Sequence, residues 1–329
     1  MHVLITGGAG FVGSHLSEYL LRHGHQVTVI DNLSTGRFAN IEGIANHRNF
    51  RYAIEDIRNI HVIDRLVSEC DVIVHLAAMV GVEKIINEPI NTIEVNIGGT
   101  ETLLKTARRY RRKILVASTS EVYGKGVSFP FREDDDSLLG PTSKNRWSYA
   151  ASKMVDEFLA LAYHQETGLP VVLFRLFNTV GPRQSGQYGM VLPRFVQAAL
   201  LNRPIQVYGD GQQQRCFGNV SDVVDAIYRL MQTEAAVGEL FNIGSSEEIS
   251  IRALAERVRD HADSASEIVM IPYDQAYAPG FEDFRRRVPS IEKIERFTGW
   301  RPTTSLDDTI KQVIAYYQEE FKRNGRANT

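Results

Sequence analysis

Two segments of this chain carry side chains whose types and spacing suit the oxidation of an alcohol. In Tyr149-Ala-Ala-Ser-Lys153 a phenol and an amine stand four residues apart, which places both on one face of a helix. A lysine so placed lowers the pKa of a phenol that otherwise titrates near ~10. The resulting phenolate is a general base for an alcohol proton. In the second segment, STSEVYG over 118–124, an apolar run ends in Thr119, Ser120 and Glu121. Alcohol oxidation has no need of a carboxylate. The reaction therefore turns on whether Glu121 acts on the substrate or pairs with a nearby arginine.

Such groups need a rigid frame and a hydride acceptor, and the elements around them supply signals for both. HVLIT (2–6), QVTVI (26–30), FRYAI (50–54), DVIVHL (71–76), KILVAS (113–118) and PVVLFRL (170–176) are Val- and Ile-rich and apolar on both faces, as in a parallel sheet covered by helices. Helical stretches separate them at about 11–23, 59–69, 91–111 and 147–167. This alternation predicts a doubly wound α/β sheet. Beyond Gly181-Pro182 the elements shorten. A helix over 221–231, capped by Ser221 or Asp222, and an apolar strand at 239–244 then return to the sheet. The expected division is a dinucleotide-binding Rossmann domain over 1–180, rejoined by 219–244, and a smaller α/β lid over 181–218 and 245–329. The aromatic, irregular stretch 272–287 has the character of a functional loop.

The first strand runs directly into TGGAGFVG, with Gly7, Gly10 and Gly13 where a tight turn, a close backbone approach and tight helix packing are needed. The helix N-terminus behind them suits a pyrophosphate. Asp31 ends the second strand, where it accepts from both ribose hydroxyls and repels a 2′-phosphate, favouring NAD over NADP. Arg37, close by, is the one feature that argues for NADP.

Composition removes other classes. A net charge of −3 gives no footprint for nucleic acid. The basic run at 108–113 fits the end of a surface helix, where cations suit the dipole, and the acidic run at 133–136 fits a solvated loop. The nine histidines lack metal-ligand spacing, so no metal site is assigned. Cys70 and Cys216 make no disulfide framework and suit a reducing cytoplasm. No run reaches ~18 apolar residues, the length of a membrane span. The N-terminus enters a strand at once, leaving no room for a signal peptide.

Taken together, TGGAGFVG, Asp31-Asn32, Asp56-Ile57, HLAA (75–78), STSEVYG and YAASK resemble the extended short-chain dehydrogenase/reductase family, whose members act on nucleotide sugars. The likeness covers essentially the whole chain. It implies NAD contacts from Gly7, Gly10, Phe11, Val12, Gly13, Asp31, Asn32, Ser34, Thr35 and Gly36. It adds Asp56 and Ile57 at the adenine, and Leu76, Ala77, Ala78, Asn96, Ser118, Tyr149 and Lys153 along the cleft. It also implies substrate contacts from Asn178 to the diphosphate, Tyr208 near the base, Arg215 to phosphate, and Arg287. In the reaction so implied, Tyr149 takes the C4 hydroxyl proton, Thr119 bridges, and hydride passes to NAD.

GPTSKNRWSYAASK (140–153) and FRRRVPSIEKIERFTGWRP (284–302) are closest to UDP-glucuronate decarboxylases and UDP-apiose/UDP-xylose synthases, although the apiose-forming enzymes carry Cys where this chain has Ser120. The leading expectation is a UDP-glucuronate decarboxylase in which Ser120 and Glu121 manage the carboxylate or the proton at C5. A UDP-sugar 4-epimerase is the alternative, suggested by GPRQ and GMVLPRF, and a 4,6-dehydratase comes third. Apolar residues on more than one face of helix 147–167, with the resemblance, imply a homodimer.

Overall fold

Successive residues of the first strand feed opposite sides of one sheet. Val3 and Ile5 join one apolar cluster with Leu16, Leu20 and Ile227, while Leu4 joins another with Ile63, Leu104 and Ala160. A strand apolar on both faces has to be covered on both faces, and here helices do so. The computed structural model describes residues 1–81, 85, 87–186, 190–276 and 285–326. Its main sheet has seven strands: β1 (His2–Thr6), β2 (Gln26–Asp31), β3 (Phe50–Ile54), β4 (Val72–His75), β5 (Lys113–Thr119), β6 (Val171–Leu176) and β7 (Leu240–Ile243). Their order is β7-β6-β5-β4-β1-β2-β3, with every neighbouring pair parallel. The order reverses between β1 and β4, and a doubly wound sheet opens its binding crevice at such a switch point.

The covering helices are α1 (Phe11–Arg22), α2 (Ile60–Glu69), α3 (Pro89–Tyr110) and α4 (Arg146–Thr167). Strand and helix positions follow the sequence expectation to within one or two residues. Arg108 and Arg109 occupy the last turn of α3, and Arg109 pairs with Asp64 at 2.9 Å, as expected for a surface helix end. The helix Val220–Gln232 is capped differently from expectation. Asn219 Oδ1 accepts from the amide of Ser221 at 2.8 Å, while the Asp222 carboxylate accepts from Thr303 Oγ1 and the amide of Thr304, both at 2.9 Å. Asp222 is occupied in fixing the C-terminal segment and leaves the cap to Asn219.

A third large cluster, containing Leu192, Phe195, Ile205, Leu254, Ile310 and Val313, is built by the helices Val191–Leu200, Ile251–His261 and Leu306–Arg326. Small strand pairs rim it: Ile205–Tyr208 with Ile268–Ile271, and Gln214–Cys216 between Glu248–Ser250 and Arg286–Arg287. The last pairing carries Arg287 to Arg215, 72 residues earlier in the chain. Of the aromatic stretch 272–287, residues 277–284 lie outside the described residues. Among the described residues no helix is long and apolar enough to cross a membrane.

One buried ion pair ties α4 to the sheet. Glu157 receives Arg175 of β6 through two bonds of 2.9 and 2.7 Å, and Ser118 Oγ of β5 donates to the same carboxylate. The Arg175 guanidinium also lies 4.5 Å from the ring centroid of Tyr123. Breaking such a pair from one side costs roughly 3–5 kcal/mol, because the remaining charge is left buried. The ion pair pins α4, which carries Tyr149, to β6, and the Ser118 bond holds it to β5, which carries Thr119.

Candidate active site

A cleft of about 400 Å³ runs over the carboxyl ends of β1, β2, β4 and β5. Its floor is the glycine turn. Gly7 has φ +70°, and a Cβ there would lie 2.9 Å from the amide nitrogen of Ala77. A Cβ on Gly13 would reach within 2.2 Å of the Gly7 carbonyl oxygen. These positions must stay bare for α1 to start where it does. Gly10 precedes α1 with no side-chain cap, which leaves the amides of the first turn facing the cleft as an anion site. Phe11, Val12, Asn32, Ser34, Thr35, Asp56, Ile57, Leu76, Ala77, Ala78 and Ser118 line the same cleft with Tyr149 and Lys153.

Asp31 is buried at its edge. Its carboxylate accepts from the amides of Ala9 at 3.0 Å and Leu33 at 2.8 Å, and burial pushes its pKa up against those bonds. A Cβ on Gly36 would lie 2.8 Å from both Asp31 oxygens, so Gly36 serves the site by making room for that carboxylate. Arg37 turns to Glu320 at 3.1 Å, which favours an unphosphorylated ribose beside Asp31. Asp56 holds Arg58 through two side-chain bonds and accepts from Asn32, and Arg58 holds its carboxyl down at about 2. Asn96 departs from expectation: it is buried behind the lining, where Oδ1 accepts from the amide of Met79 at 2.8 Å and Nδ2 donates to Ser152 at 3.0 Å. With both ends of its amide in use, it orders the cleft wall and α4.

The catalytic candidates converge where this cleft meets a second cavity of about 360 Å³; Thr119 and Tyr149 line both. Thr119 ends β5 and its Oγ1 accepts from the amide of Glu121 at 3.2 Å, closing the short turn that presents Ser120 and Glu121. Thr119 also bonds to the Tyr149 hydroxyl. The pKa of Tyr149 is raised, first by burial and then by the Glu121 charge; the Thr119 bond and Arg287 oppose the rise. Burial and Glu121, rather than Lys153, are the leading influences on the phenol. The Lys153 ammonium is 2.7 Å from Asp156 Oδ2, one turn further along α4, and much of its field is spent there.

Glu121 stands between two guanidiniums. Arg146 and Arg287 each approach Oε1 at 3.8 Å, and Arg287 Nη1 donates to Ser120 Oγ at 3.4 Å. The arginine partners make the pairing reading of Glu121 true as geometry, yet the carboxylate still lines the cavity beside Tyr149. Asn178, Tyr208 and Arg215 line that cavity as well. Asn178 Nδ2 donates to the Cys216 carbonyl at 3.0 Å, and Arg215 donates to the Gln214 carbonyl at 2.8 Å.

Among the lining residues given no site role from the sequence are Arg146 and Arg194. Arg146 sits three residues before Tyr149, so both face one way from the first turns of α4, and that spacing was a legible signal. Trp147 packs with Leu139 and Ala150 and seats the helix start that aims it. Arg194, within the GMVLPRF stretch read only as an epimerase-like mark, lies 4.2 Å over the Tyr208 ring.

A family model described as GDP-mannose 4,6 dehydratase matches residues 4–313. UDP-N-acetyl-alpha-D-glucosaminuronate decarboxylase of Bacillus cytotoxicus is 43% identical over 318 residues, covering 96% of this chain and 97% of that protein. UDP-glucuronic acid decarboxylase 1 of Danio rerio is 37% identical over 320 residues, covering 97% and 73%. Among solved structures, UDP-glucuronic acid 4-epimerase from Bacillus cereus, in complex with UDP-glucuronic acid and NAD, superposes with a TM-score of 0.88 at 28% identity, covering 97% of this chain and 100% of that one.

Proposed function

The chain belongs to the extended short-chain dehydrogenase/reductase family described by the GDP-mannose 4,6-dehydratase model, and on that premise we propose that it is an NAD-dependent decarboxylase of a UDP-hexuronate, with UDP-glucuronate as the leading substrate. The observation that carries this reading is the Arg146–Glu121–Arg287 group beside Tyr149. Two cations and one anion leave a net charge of +1, which matches one sugar carboxylate. Both relatives reported above carry decarboxylase names, one of them for a 2-acetamido uronate.

The glycine turn and Asp31 would hold NAD, which when bound supplies the hydride acceptor for sugar C4. Tyr149 takes the C4 hydroxyl proton through the Thr119 hydroxyl. Once C4 is a ketone, the C5 carboxylate belongs to a β-keto acid: the C5–C6 bond breaks, CO2 leaves, and the electron pair moves onto C5 and the C4 oxygen. Arg287 and Arg146 orient the departing carboxylate. Glu121 offsets one of the two cations, so that the group balances a single carboxylate, and it stands where it can govern protonation of C5. Asn178 and Arg215 are assigned to the diphosphate and Tyr208 to the base. We assign residues 1–180 with 219–244 to cofactor binding, and 181–218 with 245–329 to the nucleotide sugar.

Two further assignments accompany this reading. Ile90 and Ile93 of α3 and Val155 and Phe158 of α4 are exposed, each pair three residues apart on its helix, with Phe158 at 69%. Such a surface suits a homodimer built on two helices from each copy. Two buried free thiols, Cys70 and Cys216, suit a reducing cytoplasm.

The test is incubation with NAD and, separately, UDP-glucuronate, UDP-N-acetylglucosaminuronate and UDP-glucose, with products followed by NMR. Loss of C6 as CO2 from a uronate is expected. A C4 epimer alone would replace this reading with epimerisation, which the likeness to the UDP-glucuronic acid 4-epimerase supports.

A further inference from the structure

The structure contains a buried carboxylate that the proposed chemistry does not use. Asp156 is 0% exposed. Its Oδ2 holds the Lys153 ammonium at 2.7 Å, and Lys153 is itself 2% exposed. Oδ1 completes no hydrogen bond. Behind Asp156 a polar chain crosses the sheet. Burial raises the Asp156 pKa, and the Lys153 ammonium and the Thr100 hydroxyl of α3 oppose the rise. Thr100 Oγ also meets His75 Nε2 at 3.0 Å, and His75 Nδ1 meets Thr6 Oγ at 2.7 Å. Thr6 ends β1 directly before the glycine turn and accepts from the amide of Ala77 at 3.2 Å. The chain therefore ties the lysine to the cofactor floor. His75 is neutral in it, since burial pushes its pKa down to about 3. A fully buried ion pair contributes little net stability over an apolar replacement, so packing alone does not account for this one.

We propose that Asp156 is a positioning residue for Lys153, and that its charge sets the pH at which the Tyr149–Lys153 pair gives up a proton. The inference rests on the reading of Tyr149 and Lys153 as the alcohol-oxidising pair, but not on which sugar is turned over. Tyr149 and Lys153 share one buried site, so their protons leave in steps that belong to the pair. The charged groups acting on Tyr149 are Glu121 from the turn after β5, Asp156 from α4 itself and Arg287 from the strand Arg286–Arg287; Glu157 acts on Asp156 in turn, and Arg146 from the first turn of α4 lines the same cavity. Asp156 is the carboxylate held against Lys153. Its negative charge retains a proton on the pair, and keeps the phenol from ionising until a cofactor cation arrives.

The test uses the full-length protein and NAD+ without sugar. Calorimetry in buffers of different ionisation heat counts the protons released on NAD+ binding at each pH. Asp156→Asn removes one negative charge, so its release window is expected to move to lower pH by about one unit or more. The acid limb of kcat/KM moves with it, and kcat falls because the ammonium is no longer anchored. Asp156→Glu keeps the charge and is expected to return the window to its wild-type position.

Thr100→Val is isosteric and removes the hydroxyl that favours the carboxylate. It is expected to move the window the same way by less, and it carries the test if Asp156→Asn does not fold. An unmoved window in both Asp156→Asn and Thr100→Val, or a window moved to higher pH, overturns the proposal. Failure of the decarboxylase reading is separate, because it appears in the products of the wild-type enzyme.

Discussion

Replacing Glu121 by Gln removes one negative charge from between two guanidiniums and changes almost no volume. Both arginines approach Glu121 Oε1 at 3.8 Å. A sugar carboxylate bridged to Glu121 by the same guanidiniums would lie about 5–6 Å from it. At an effective dielectric constant of ~20, two like charges at that separation repel by roughly 3 kcal/mol. Reorganisation of the freed arginines absorbs part of this, and about 1.4 kcal/mol of the remainder is one factor of ten in affinity. Glu121→Gln is therefore expected to bind UDP-glucuronate about tenfold more tightly, with no change for UDP-glucose. The same change removes the group placed for proton management at C5, so kcat is expected to fall by ~10²-fold or more. Tighter binding with slower chemistry is the signature of ground-state repulsion lost together with a transition-state contact. The binding arm is measured calorimetrically with NAD present in a Tyr149→Phe background, which prevents turnover. Equal affinity changes for the uronate and for UDP-glucose, or weaker uronate binding, would refute the reasoning, since Glu121 would then not face the carboxylate.

Other consequences are simpler to read. Tyr149→Phe should lower kcat by ~10³-fold or more while leaving NAD affinity within about threefold, as seen by single-turnover kinetics and calorimetry. Gly13→Ala places a Cβ 2.2 Å from the Gly7 oxygen and should lose about 2 kcal/mol or more of stability, or fail to bind NAD, when unfolding is followed with and without cofactor. Arg58→Ala frees an Asp56 carboxyl that Arg58 holds at about 2. That depressed value stabilises the fold above the unfolded pKa of ~3.9 and fades as pH falls toward 2, so the difference in Tm between variant and wild type should be full at neutral pH and shrink on acidification. Phe158→Glu should give a monomer by light scattering if the exposed faces of α3 and α4 pair with a second copy.

The seven strands were legible because a parallel sheet covered on both faces leaves continuous Val- and Ile-rich runs, which survive without knowledge of their partners. The glycine turn and the Tyr149–Lys153 pair were legible for a related reason: their geometry lies within one turn or one helix. Helix capping at Asn219 was less so, since Ser221 and Asp222 are equally good caps by local rule and Asp222 is drawn off by Thr303 and Thr304, 81 and 82 residues away. Nothing in the neighbourhood of Asn96 in the sequence reveals that Met79 and Ser152 claim both ends of its amide.

By itself, then, the sequence determined the sheet, the dinucleotide floor and the presence of an alcohol-oxidising pair beside a carboxylate, all set by short-range pattern. Tertiary structure decided the electrostatics of that carboxylate and that pair. Arg287 reaches Glu121 through a strand pairing formed late in the chain, and Arg146 reaches it from a helix start seated by Trp147. Burial and Glu121 are the larger influences on Tyr149, and Asp156 acts in the same direction. Charge acts through space over several ångströms, and the positions that share that space here are separated by up to 166 residues along the chain, from Glu121 to Arg287.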